Sequence, residues 1–166
     1  TQSRSSAASD VYKRQVGRSA LKVNTTGAEN TGIGSIVLEK NTTGSNNVAV
    51  GIGSLYDSTT SSNHSAIGKN ALANNTTGEQ NTAIGACAGQ NNTTGDNNIF
   101  VGASAGIDAM INVTTADHQI VLGNNTHTNA TIKIDWTVTS DLRDKTEIED
   151  VPYGLDFVNQ ITPIKY

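Results

Sequence analysis

The chain has 166 residues, of which 4 % are aromatic and 16 % charged, with a formal net charge of −4. A composition so poor in bulky side chains cannot fill one large globular core; it leaves either a disordered polar chain or a repeat array in which each unit buries little and its neighbours complete the burial. The negative balance gives no electrostatic reason to bind nucleic acid, the lone Cys87 allows no intrachain disulfide, and no run of about 18 apolar residues is present to span a bilayer.

Residues Ser5 to Gln15 read Ser-Ser-Ala-Ala-Ser-Asp-Val-Tyr-Lys-Arg-Gln. This string resembles a translated sequencing adapter over all eleven positions. The alternative is a basic disordered arm. We set residues 1–15 aside from the fold, as a fusion scar is set aside, with Thr1–Arg4 lying upstream of the match. The chain is then expected to be a fragment, open on its N-terminal side and cut at Tyr166. Removing the segment takes away Arg4, Lys13 and Arg14 against Asp10 alone, so the remainder is more acidic than the whole.

From residue 16 onward a repeat decides between disorder and array. Gly34, Gly51, Gly68, Gly85 and Gly102 are spaced 17 apart, and Gly27, Gly44, Gly78 and Gly95 keep the same period with Ser61 in the one gap. Asn-Thr-Thr-Gly recurs from Asn24, Asn41, Asn75 and Asn92, and Ser58-Thr59-Thr60-Ser61 is a degenerate copy. This tetrapeptide predicts a turn, because Asn and Gly tolerate positive φ and the side chains can bond the local backbone. A looser last unit ends at Gln119–Gly123, after an insertion around Met110–Ala116.

A short strand ends at each glycine of the first series: Val48-Ala49-Val50, Ser65-Ala66-Ile67, Thr82-Ala83-Ile84 and Ile99-Phe100-Val101. The third position is always β-branched (Ile33, Val50, Ile67, Ile84, Val101), which predicts that this face is buried. The middle position is small until Phe100, which predicts a close approach by another backbone. A second apolar spot follows at Val37-Leu38, Leu55, Ala71-Leu72, Ala88 and Ala105. Each unit is thus expected to hold two strand-like pieces and two turns. Seventeen residues are too few for a helical crossover but enough for one coil of a parallel β-roll, with coils stacked at about 4.8 Å. So thin a roll is expected to share its apolar stripe with other copies.

The Asn-Thr-Thr-Gly-x-x-Asn-Thr-Ala-Ile-Gly pattern of residues 75–85 resembles the head repeats of trimeric autotransporter adhesins. It is more closely similar to the repeats that precede the chaperone domain of phage tail fibres. The resemblance covers roughly residues 24–125 and implies a parallel β-roll shaft (residues 16–125), a homotrimer, and a host cell-surface receptor or glycan as external partner. The expected location is a virion tail fibre, with a bacterial trimeric surface adhesin as the alternative.

Beyond the repeats, residues 126–139 form a linker whose Thr131–Val138 alternates like a strand. In residues 140–166, Leu155, Val158 and Ile161 fall at helical spacing before Pro163, which predicts a short α-helical piece. The string Ser140-Asp141-Leu142-Arg143-Asp144-Lys145, an acidic stretch and that helix resemble the opening of the self-cleaving intramolecular chaperone domain of endosialidase-type tailspikes. The resemblance implies Ser140 as nucleophile, Lys145 as its base, Asp141 and Arg143 as framing residues, and cleavage at the Thr139–Ser140 bond. Asp144 departs from the apolar residue common there. A serine needs a base, and a lysine serves as one only when burial or nearby cations lower its pKa. Spacing alone favours the plainer reading, with Ser140 capping a helical segment and Lys145 as a solvated charge; the surrounding motif favours the dyad. Residues 140–166 are too short for a whole chaperone domain, so cleavage is expected only in a full-length parent.

Other candidates carry less. Cys87 shares its repeat slot with Ile36, Gly53, Asn70 and Ser104, a slot that does not select a thiol. His64, His118 and His127 lack metal-ligand spacing, and His64 replaces Asn30, Asn47, Asn81 and Asn98 as an expected surface polar residue. The Asn-Thr-Thr triplets match glycosylation acceptors in form only. Gly32-x-Gly34 and Gly51-x-Gly53 precede no helix pattern, and Asp57 and Asp96 are too isolated for calcium. No cofactor, metal, membrane insertion or external-substrate enzyme is expected; paired carboxylates are missing from residues 16–138.

Overall fold

The computed structural model describes residues 14–108 and 111–128. They form a single parallel sheet of seven three-residue strands: β1 (Arg14–Val16), β2 (Thr31–Ile33), β3 (Val48–Val50), β4 (Ser65–Ile67), β5 (Thr82–Ile84), β6 (Ile99–Val101) and β7 (Ile120–Leu122). Sheet order equals chain order. Each strand pairs with the residues 17 further on, Thr31 with Val48 and Val48 with Ser65, until the β6 to β7 step of 21, where Phe100 pairs with Val121. The chain is therefore mainly β, a solenoid of 17-residue coils. Among the described residues there is no helix; the helix expected over 155–161 lies outside them. Arg14 and Gln15, set aside with the adapter-like stretch, are paired strand residues. Backbone pairing places no demand on their identity.

The glycines that close the strands show why the period is strict. Gly51 has φ +123°, and a Cβ there would lie 2.5 Å from the carbonyl carbon and oxygen of Gly68 in the next coil. Only glycine fits a corner that is both left-handed and in backbone contact with its neighbour.

Two expectations about the strands are corrected. The middle positions, not the β-branched ones, face inward: Ala49, Ala66, Ala83 and Phe100 are fully buried, whereas Ile33, Ile67, Ile84 and Val101 are 38–45 % exposed. The small middle side chains meet leucines within the coil; a Cβ on Gly32 would contact Val37 and Leu21. The second apolar spot is not a strand. Ile36 and Leu38, Leu55, Asn70 and Leu72, and Cys87 all have φ between +48° and +59°. Alternating hand turns successive N–H groups toward opposite neighbours: Ile36 donates to Arg18 O at 2.8 Å and Leu38 to Ser54 O at 3.1 Å. The run thus keeps a coil-to-coil ladder while Leu38, Leu55 and Leu72 point into the core. Each left-handed non-glycine residue costs roughly 1–2 kcal/mol, offset by burial of a leucine at about 1.5–3 kcal/mol.

The inserted residues also leave the coil earlier than Met110–Ala116. Ile107 and Asn112 close an antiparallel bridge, and by Thr114, whose carbonyl accepts from Thr93 N at 2.7 Å, the chain is back in phase. Pinching a detour off at its base preserves the stacking of everything after it.

Candidate functional site

Inside the coils run two files of polar side chains, and outside runs one file of aliphatic ones. The first internal file is Asn30, Asn47, His64, Asn81 and Asn98, all buried. Each Asn Oδ1 accepts the backbone N–H of the same slot in the next coil: Asn47 N to Asn30 at 3.0 Å, His64 N to Asn47 at 3.0 Å, Asn98 N to Asn81 at 2.8 Å, and Gln119 N to Asn98 at 2.7 Å. Each Nδ2 donates to a turn carbonyl, Asn30 to Gly44 O at 2.7 Å and Asn81 to Gly95 O at 2.7 Å. Both ends of the amide are satisfied, which burial requires.

His64 stands in this file and is 1 % exposed, which overturns the expectation of a surface substitute. Its Nδ1 does what an Asn Oδ1 does and accepts Asn81 N at 3.1 Å. That bond assigns the neutral tautomer with its proton on Nε2. Burial, opposed by a backbone hydrogen bond at Gly78, pushes the ring pKa down to about 4, and the Asn81 N–H aimed at Nδ1 favours the same neutral form.

The second file starts each turn. Asn41 Nδ2 donates to Asn24 Oδ1 at 3.0 Å, and Asn92 Nδ2 to Asn75 Oδ1 at 3.1 Å. Asn41, Asn75 and Asn92 are fully buried, so these triplets are closed to a sugar. Between them the file breaks at Ser58, whose Oγ pairs with Ser61 Oγ at 2.6 Å. Above Asn41 the donor an asparagine would supply is missing, and Asn41 Oδ1 is the one buried side-chain atom without a partner among the described residues. Asn75 Nδ2 instead approaches His64 Nε2 at 3.1 Å and Ser61 Oγ at 3.2 Å. The signal in the sequence was that three departures fall in one coil: Ser58 for Asn, Ser61 for Gly and His64 for Asn.

The external file is Val16, Ile33, Val50, Ile67, Ile84, Val101 and Leu122, the third position of every strand. All but the half-buried Val50 are exposed, and Val48, Ile99 and Ile120 widen the stripe at the first position. At about 4.8 Å per coil the file is some 30 Å long, and an exposed apolar strip of this kind marks an interaction surface.

The remaining candidates are structural. Asp57 accepts from Lys40 Nζ at 2.6 Å, and that cation lies 4.6 Å from the Tyr56 ring centre. Asp96 Oδ1 accepts Glu79 N, and Asp117 Oδ1 accepts Asp96 N, each at 2.7 Å. His127 Nδ1 accepts Asn124 N at 3.1 Å. Cys87 is half-buried at φ +59°, so its slot selects conformation. Among the described residues no three His, Cys, Asp or Glu gather to hold a metal. Ser140, Asp141, Arg143 and Lys145 lie outside the described residues. No protein-family model, curated protein or solved structure matches the chain.

Proposed function

We propose that the chain is a shaft segment of a trimeric, phage-type tail fibre that serves attachment to a host surface. The observation that supports this reading is the unbroken aliphatic file on the outer face of the sheet. A partner that covers it must offer matching apolar groups at the same repeat of about 4.8 Å over seven coils. A second copy of the same chain does so in every coil without further design. Three copies, each lending its stripe to the others, form a closed assembly with no stripe left over. The homotrimer also accords with the resemblance of residues 75–85 to adhesin-head and tail-fibre repeats. The test is sedimentation equilibrium of the full chain at micromolar concentration: a mass of three chains supports the shaft, and a monomer at all concentrations removes it.

The same reading assigns residues 140–166 to the start of a self-cleaving chaperone, with Ser140 as nucleophile and Lys145 as base. A full-length parent is expected to separate at Thr139–Ser140 on a denaturing gel. Cleavage that persists in Ser140→Ala would remove Ser140 from the mechanism. The bacterial trimeric adhesin is the second reading, because the head-repeat resemblance serves it equally. A membrane anchor encoded downstream in the complete reading frame would favour it, and neighbouring tail genes the fibre. The host receptor or glycan belongs to the parent in either case.

A further inference from the structure

We infer that the coil carrying Ser58, Ser61 and His64 is a seam that acid opens: protonating the His64 ring unstacks the array locally between that coil and the next, while the other coils hold. The seam lies within one chain and does not depend on the trimer.

The geometry sets one polarity for the ring. His64 Nδ1 is an acceptor, facing the Asn81 backbone N–H at 3.1 Å. An imidazolium carries a proton on both nitrogens, so protonation sets two donors against each other at that contact. The other nitrogen already carries its proton in the neutral ring and has a backbone partner at Gly78, so its surroundings serve both forms and do not offset the clash at Nδ1. It lies 3.1 Å from Asn75 Nδ2, which is itself committed to Gly78 O at 2.9 Å, and Asn75 Oδ1 already accepts from Asn92. Turning the Asn75 amide to present its oxygen would break both bonds. The groups shown in contact with the ring, the Asn75 amide and the Asn81 backbone N–H, are uncharged. The one charge acting on it is Asp96, nearly two coils away, and its influence is the smallest of those on the ring.

An asparagine in this slot has no such liability, because no accessible pH reverses its acceptor. The four other internal members of the file are asparagines, so sensitivity is confined to one level of the stack. The junction on the preceding side of the same coil is already short of one bond, at Asn41 Oδ1. Acid should therefore soften the array in its middle before it frays at its ends, through a local opening of the kind that amide exchange detects.

The experiment compares the full chain with a repeat-restored variant, Ser58→Asn with Ser61→Gly and His64→Asn. Amide hydrogen exchange, corrected for intrinsic rate, is followed from pH 7 to pH 3.5. Protection at Asn81 is expected to fall about tenfold or more in the unaltered chain as the ring protonates, and to persist at Asn47, His64 and Asn98. The restored variant should keep protection at all four. Equal loss in both proteins, or loss spread evenly along the coils, would overturn the seam. A second measurement needs no variant: the His64 ring titration, read by nitrogen chemical shift in the unaltered chain. Its midpoint must coincide with the loss of Asn81 protection, and a ring that titrates while Asn81 stays protected sinks the inference.

Discussion

Phe100 and Gly106 claim a single volume: a Cβ on Gly106 would lie 2.5 Å from Phe100 Cε1 and 2.6 Å from Cδ1. Gly89, one coil earlier, meets the other edge of the same ring, with a Cβ 2.5 Å from Cδ2. In the coils before, the arrangement is inverted. The strand contributes Ala49, Ala66 or Ala83, and the left-handed run contributes Leu38, Leu55 or Leu72. Core volume is kept while its source moves from the turn run to the strand, as close packing demands.

This exchange predicts strong coupling. Phe100→Ala alone should destabilise the array by about 3–5 kcal/mol, the usual cost of emptying an aromatic site. Gly106→Leu alone should overpack the site by about 1–3 kcal/mol. Combining Phe100→Ala with Gly89→Leu and Gly106→Leu recreates the earlier coils and should recover most of the loss. Urea unfolding midpoints check this. Purely additive penalties would show that the ring and the glycines do not share their space.

The strand positions, the 17-residue period and the glycine corners were legible in the sequence because each rests on local chemistry repeated in phase. What failed was the direction of the faces. Alternation says that Ala66 and Ile67 oppose each other but not which is inside, and hydrophobicity favoured Ile67. The coil's narrow interior decided otherwise, since Leu55 and Leu72 from the turn run already fill it. Those leucines read as a strand because positive φ at a non-glycine residue leaves no mark on composition. His64 was misread because a slot full of asparagines looks like surface, although the ladder buries it.

Two glycines two residues apart should respond differently to substitution. Gly51, at φ +123° and in contact with the Gly68 backbone, should tolerate no side chain. Gly51→Ala is expected to cost at least about 1–3 kcal/mol in strain alone. Gly53, at φ +68°, shares a slot with Asn70, and a Cβ there would meet only the end of the Asn70 side chain at 2.5 Å. Gly53→Asn should change stability by about 0.5 kcal/mol or less. Thermal denaturation of the two variants separates them, and equal losses would contradict the corner geometry.

Charge on the outer stripe should divide folding from assembly. Ile84 is 45 % exposed on the free sheet face, so Ile84→Lys should cost a single chain about 1 kcal/mol or less. In an assembly the same lysine is desolvated without a partner, which costs several kcal/mol per ion. The variant is expected to retain its β circular dichroism and to sediment as a monomer. Sedimentation unchanged from the unaltered chain would show that this stripe is not the contact.

The His64 ring makes stability depend on pH with a definite sign. Its folded pKa is about 4, against 6.5 for the free side chain. Above pH 6.5 neither state binds a proton there, and the contribution is flat. Between 6.5 and 4 the unfolded chain takes up a proton that the folded chain refuses, so stability falls as pH falls through this window. Below about 4 both states are protonated and the loss levels off, at no more than about 3.5 kcal/mol for a shift of this size. Carboxylates titrate near the lower end of the window and would blur a measurement on one protein. They are common to the repeat-restored variant, so the difference in urea midpoint between the two isolates the ring. At pH 7 the variant should lead by about 1–3 kcal/mol, because the Ser58→Asn change would supply Asn41 Oδ1 with its missing donor. The lead should widen steadily from pH 6.5 to 4. A lead that stays constant across that range would mean that His64 is not held neutral, and the ladder contact at Asn81 would lose its explanation.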